Sequence, residues 1–175
     1  MKDFFIGNTV FLRPLEPEDL DILYKWENDT ELWQNGATIT PFSRFALRQY
    51  LVDAQHDIYQ TRQLRMMIVE KESKKPAGTI DLYDFDALNS RAGVGILVDE
   101  NFREKGYALQ ALSCMEEYAF SHLKLHQLYA FVPVGNLPSR ALFEKANYER
   151  TAVLKEWISV NRSFTDVIVM QKINR

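Results

Sequence analysis

Apolar residues along the chain fall into two rhythms, alternation marking half-buried strands and a three-to-four spacing marking helices packed on one face. Thr9–Leu15 reads as a strand closed by Pro14. A helix opens at Pro17 with Glu18, Asp19 and Asp21 in its first turn, where carboxylates suit the helix dipole, and Leu20, Leu23, Tyr24 and Glu27 mark its face. After the breaker Thr40-Pro41, a second helix starts from Ser43 as N-cap and runs toward His56. Leu64–Val69 and Ala77–Tyr83 read as strands joined by the polar turn Lys71–Pro76, and Arg91–Val98 as a fourth strand. From Gly106 to about His122, Ala108, Leu112, Met115 and Ala119 recur at helical spacing. Gln127–Val132 is then a strand that can lie parallel to the one ending at Val98, because a helix intervenes. Pro138 opens a helix to Lys145, and strands Val153–Ser159 and Phe164–Lys172 follow, around a turn at 160–163. The pattern predicts seven strands and four helices, a mixed α/β class.

Composition narrows the class. With 175 residues, 46% hydrophobic and 26% charged, and no linker or repeat, residues 1–175 read as a single domain. No apolar run nears the ~18 residues of a membrane span, and Met1–Asn8 lacks a signal-peptide core, so a soluble cytoplasmic protein with no membrane partner is expected. Cys114 is the only cysteine, which excludes an intrachain disulfide, and its apolar neighbours predict a small buried hydrophobe. Residues 1–100 carry a charge balance of −6 and residues 101–175 one of +3. An acidic first half suits a cationic substrate, and is also what solvated surface produces. A net charge of −3 without basic runs argues against nucleic acid.

The stretch Asp99–Ala108 joins the apolar run Ile96-Leu97-Val98 to the long helix through Arg103-Glu104-Lys105-Gly106-Tyr107-Ala108, spaced Arg-x-x-Gly-x-Ala. A helix's first turn leaves N–H groups unpaired at the positive end of its dipole, so such a junction can hold a pyrophosphate. Gly106 allows close approach, and Ala108 keeps the wall low. Its position at the carboxyl end of a strand in a βαβ unit is where open sheets bind ligands.

With this order in view, the chain resembles the GNAT superfamily of acetyl-CoA-dependent N-acetyltransferases over nearly its whole length. Arg103–Ala108 is similar to that family's Arg/Gln-x-x-Gly-x-Gly/Ala loop, and Asn136–Tyr148 to its Asn-x-x-Ser-x-x-Leu-Tyr/Phe-x-Lys-x-Gly-Phe segment. Leu12–Leu20 and the stretch from Lys155-Glu156 to Asp166 look like the branch holding ribosomal-protein N-terminal acetyltransferases and spermidine/spermine acetyltransferases. The resemblance implies a three-layer fold around a twisted, largely antiparallel mixed sheet with a splayed parallel pair. It implies that Arg103, Glu104, Lys105, Gly106, Tyr107 and Ala108 hold the diphosphate of acetyl-CoA. Ile96, Leu97 and Val98, at a bulge, would pair with the pantetheine arm, and one of their N–H groups would polarise the thioester carbonyl. Asn136 would bond the pantetheine, Ser139 and Phe143 would share the face turned to the sulfur, and Lys145 completes the matched segment. The acceptor amine would attack directly in a ternary complex, with no metal, and relatives often form homo-oligomers.

Two proton transfers remain. An alkylammonium with a pKa of about 10.4 is free amine in only about one molecule per thousand at neutral pH, so a base or a desolvating pocket is needed. Asp81, Asp84 and Glu100 are candidates, with Asp81 ranked first; the plain alternative for each is a solvated strand carboxylate. Many relatives protonate the leaving thiolate with a tyrosine where this chain has Phe143. Ser139 is the first choice for that step, with Tyr107, water or unassisted departure as alternatives. Local backbone bonding is the plain reading of Ser139.

Three further features bear on the acceptor. Polyamine acetyltransferases of this branch carry a Glu-rich stretch where this chain has Asn35–Thr40, although Glu27, Asp29 and Glu31 stand nearby. Arg162 replaces the glycine usual in the last hairpin turn. Trp26, Trp33 and Trp157 could line an acceptor pocket or fill core. His122 and His126 lack a third ligand, so no metal site is expected, and His56 reads as exposed. An N-acetyltransferase acting on a primary amine, a polyamine or a protein N-terminus, is the leading reading. A CoA-binding module without turnover is the alternative, and a cofactor-free scaffold conflicts with the intact turn.

Overall fold

Seven strands, β1 (Val10–Pro14), β2 (Leu64–Glu70), β3 (Pro76–Asp86), β4 (Arg91–Val98), β5 (Gln127–Pro133), β6 (Glu149–Val160) and β7 (Ser163–Ile173), form one sheet. Their order is β1-β2-β3-β4-β5-β7-β6, in a computed structural model that describes residues 3–33, 40–160 and 162–175. Every pairing is antiparallel except β4 with β5, which run parallel across the helical crossover as expected. That parallel ladder holds for only three pairs, Arg91↔Gln127, Ala92↔Leu128 and Gly93↔Tyr129. Beyond them β4 stays on β3 through Gly78↔Val98, while β5 stays on β7 through Pro133↔Val167, so the two strands diverge. The expected bulge at Ile96–Val98 is not there: the β3–β4 register shifts only between Tyr83 and Asp86.

The described residues form six α-helices: α1 (Leu20–Glu27), α2 (Thr30–Trp33), α3 (Arg44–Asp53), α4 (Ile58–Thr61), α5 (Tyr107–Glu117) and α6 (Leu137–Lys145). The short α2 and α4 exceed the four expected because single turns carry no readable periodicity. Pro17–Asp19 is a 3₁₀ turn leading into α1, and α5 ends early in a π-helical turn at Tyr118–His122. Along α1 the buried side chains are Leu23 and Trp26, whereas Tyr24, expected on the inner face, reaches solvent.

Alternation on β2 sets the layers. Met66 and Ile68 join the larger core with Leu112 and Met115 of α5 and Phe143 of α6, while Met67 and Val69 join Leu23, Trp26 and Leu51 of α1 and α3. One face of the sheet is therefore covered by α5 and α6, the other by α1 and α3. Cys114 is buried, as expected of a small hydrophobe, and burial pushes its thiol pKa up. Among the described residues no helix is long and apolar enough to cross a membrane.

Candidate active site

The turn between β4 and α5 is built from Asp99. Its Oδ1 accepts from Asn101 N at 3.0 Å and Nδ2 at 2.8 Å, shaping the 3₁₀ turn Glu100–Phe102. Its Oδ2 accepts from Trp26 Nε1 at 2.8 Å, and Lys25 Nζ lies 3.5 Å away. Burial opposes the carboxylate charge, but the Trp26 and Asn101 donors win and hold its pKa at about 2. The chain then leaves Arg103, whose Nε donates to Val98 O at 3.2 Å, and passes through Glu104 and Gly106, both left-handed at φ 61° and 76°. Among the described residues, the N–H groups of Glu104, Lys105, Gly106, Tyr107 and Ala108 meet no hydrogen-bond acceptor. A Cβ built on Gly106 meets nothing within 4 Å, so the turn is open at that position. Unpaired amides in a turn of this shape, ahead of a helix, form an anion-binding concavity.

Side chains of the same turn point elsewhere. The Tyr107 hydroxyl donates to Glu70 Oε1 at the end of β2, and Lys105 Nζ lies 3.5 Å from the same oxygen. The bond to Glu70 pushes the phenol up to about 12, and Ser73 and Tyr107 lower the Glu70 carboxyl. The phenol is thus engaged by Glu70 of β2, with β3 between Glu70 and β4.

Across the divergence, β5 leads into α6. Asn136 Oδ1 accepts from Ser139 N at 3.2 Å, capping the helix, and Pro138 occupies its first turn. Ser139 is half-buried, and its Oγ makes no hydrogen bond among the described residues, so the local-backbone reading does not apply. Phe143, four residues on and therefore on the same side of α6 as Ser139, is buried in the larger core, its ring 5.0 Å from that of Tyr148. Ser139 stands half-buried in the first turn of α6, and Phe143 lies one turn further along the same side, where the helix packs into the core. Lys145 is exposed in the last turn of α6.

The face under α1 and α3 carries the carboxylates. Asp81, 8% exposed, accepts at Oδ1 from Arg65 Nε (2.7 Å) and Gln63 Nε2 (2.8 Å), and Arg65 NH1 donates to Glu27 Oε1 at 2.6 Å. Burial works against the Arg65 cation, but Asp81, Tyr50 and Glu27 outweigh it and raise its pKa. The Tyr50 ring lies 5.4 Å from this guanidinium, and burial lifts its phenol to about 12. Asp84 and Glu100 are exposed. Trp26 is core, Trp33 donates to Glu27 O at 2.7 Å, and Trp157 is exposed on β6. Of the Asn35–Thr40 stretch, residues 35–39 lie outside the described residues. Arg162 adopts φ 66°, the conformation a glycine takes without strain.

Sequence reasoning missed Arg65, Asp99 and Tyr83. Arg65 sits opposite Asp81 in the β2–β3 register, a pairing the turn length could not locate, because the register shifts between Ile68 and Val69. Glycines two apart on one strand, Gly93 and Gly95, signal close approach of another group, and that group is the Tyr83 ring.

Residues 9–149 match the family model described as "Acetyltransferase (GNAT) domain". The chain is 27% identical over 165 residues to the uncharacterized N-acetyltransferase p20 of Bacillus licheniformis, covering 94% of this chain and 92% of that protein. It is 26% identical over 165 residues to spermidine N(1)-acetyltransferase of Escherichia coli (strain K12), covering 94% and 86%. Spermidine N-acetyltransferase from Vibrio cholerae in complex with CoA and spermine shares the fold at TM-score 0.84 and 22% identity, covering 94% of this chain and 95% of that one. A dodecameric form of spermidine N-acetyltransferase from Vibrio cholerae superposes at TM-score 0.80, with 23% identity and 94% of each chain covered.

Proposed function

The chain belongs to the GNAT acetyltransferase family, whose members use acetyl-CoA, and we propose that it transfers the acetyl group directly to a primary amine held on the α1–α3 face of the sheet. The observation that carries this reading is the run of unpaired amides from Glu104 to Ala108, in a turn open at Gly106 beside the β4–β5 divergence. Acetyl-CoA supplies its acyl group as a thioester, and the residues fit it: five convergent donors for a diphosphate, and a strand edge at Ile96–Val98 not paired to β5 for an extended arm.

In this reading Arg103 adds positive charge beside the amides, and Asn136 and Ser139 face the arm from α6. A backbone N–H of Ile96–Val98 polarises the acyl carbonyl. The amine nitrogen bonds to the acyl carbon as the carbon–sulfur bond breaks, Ser139 Oγ–H donates to the departing thiolate, and the second proton the nitrogen sheds on becoming an amide returns to Ser139 Oγ through water. Asp81 receives the ammonium proton through Oδ2, since Arg65 and Gln63 engage Oδ1. The thiolate needs little assistance, because a thiol near pKa 8.5 is a tolerable leaving group.

Polyamines and protein N-termini are the two acceptor classes proposed, prompted by similar proteins named spermidine N(1)-acetyltransferase and, in Bacillus subtilis, putative ribosomal N-acetyltransferase. Self-association is part of the proposal, prompted by the dodecameric neighbour, and light scattering in solution reads it directly. The deciding experiment is release of free thiol from acetyl-CoA across polyamines, aminoglycosides, amino acids and N-terminal peptides. Turnover with one amine supports transfer. Stabilisation by CoA, about 2.7 kcal/mol at 100 times Kd, with no turnover leaves a binding module instead.

A further inference from the structure

Tyr83 lies across β4. A Cβ on Gly93 would fall 2.3 Å from its Cε2, so the ring requires a glycine there, and Gly95, two residues on, lies at ordinary contact, 3.8 Å from Cε1 to a Cβ built on it. Gly93 is the last β4 residue paired with β5, which puts the ring over the point where the strands part. Tyr129 meets it edge-on at 6.1 Å, and Phe131 meets Tyr129 at 5.4 Å, also edge-on. These three residues alternate with the core-facing set, so they stand on the α1–α3 face, yet Tyr83 and Tyr129 are only half-buried and Phe131 is 45% exposed. Among the described residues none of the three belongs to the core cluster formed with α1 and α3. Beside them, the acidic side chains that would attract a polycation are partly spent: Arg65 pairs with both Asp81 and Glu27.

We propose that Tyr83, seated on Gly93 and Gly95, is the specificity-determining residue of the acceptor side, selecting a primary amine carried on an aryl or alkyl body over a hydrated polyamine. This rests on the acetyl-transfer reading above. The acceptor's apolar body packs on the Tyr83 ring with Tyr129 and Phe131 at its edges, and its amine extends past the rings toward the divergence. Burial raises the Tyr83 phenol, with Tyr129 and Asp84 adding to the shift, so it stays neutral and contributes ring surface and a hydrogen-bonding oxygen rather than charge.

The test compares acetylation of 2-phenylethylamine and spermidine by the wild type, Y83F and Y83A, with calorimetric binding of 2-phenylethylamine to the CoA-loaded protein. The wild type should favour 2-phenylethylamine in kcat/KM. Y83A should raise its KM for that amine about tenfold or more while KM for acetyl-CoA holds, as loss of apolar pocket surface does, and Y83F should stay near wild type. Should Y83A not fold, Y83L keeps part of the volume and is expected to lie between. Preference of the wild type for spermidine, or an equal loss for both amines in Y83A, overturns the proposal. If neither amine turns over, binding decides: tighter binding to wild type than to Y83A upholds the Tyr83 role while acetyl transfer falls, and no difference overturns it.

Discussion

Trp26 of α1 donates its indole N–H to Asp99 at 2.8 Å, tying that helix to the residue that starts the turn between β4 and α5. Both groups are buried, so the bond is a fixed strut rather than a surface contact. Because the folded-state pKa of Asp99 is depressed to about 2, its stabilising contribution is present above the unfolded value near 3.9 and is lost as pH falls from about 4 to 2. D99N should remove about 2 kcal/mol at neutral pH and flatten that acid limb, read by urea unfolding at several pH values. W26F should cost about 1.5–3 kcal/mol and weaken CoA binding.

Gly106→Ala separates conformation from space. No atom stands near the new methyl, so the cost is that of a left-handed φ on an L-residue, about 1–2 kcal/mol. Calorimetry should show CoA affinity falling about tenfold, with the far-UV circular dichroism unchanged.

Breaking the Arg65–Asp81 pair strands a charge on a covered face. R65M or D81N alone should cost about 3 kcal/mol or more in chemical denaturation. The double variant should lose less than the summed singles, the signature of two residues in direct contact.

Tyr107 and Ser139 give opposite forecasts for the leaving-group step. Y107F should leave kcat and the alkaline limb of the pH–rate profile as they are, because its hydroxyl is committed to Glu70. S139A should lower kcat by about a hundredfold if Oγ–H protonates the thiolate, with KM for acetyl-CoA moving less.

Much of this was legible from residue order. Strand β4 and helix α6 follow from alternation and from Asn136-x-Pro138 capping, and the amide turn follows from Arg103-x-x-Gly106-x-Ala108. The depth of Phe143 was not legible, because how far each turn of a helix is covered is set by the elements packed against it. Local signals placed the seven strands, the four longer helices and the glycine of the turn, since those depend on a few adjacent residues and on backbone sterics. Only tertiary packing decided that β4 and β5 part after Gly93, that Trp26 meets Asp99 and Arg65 meets Asp81, and that Tyr83 lies on two glycines. Each of those contacts joins residues on different elements, and its existence depends on register and layer order, which no single stretch of chain encodes.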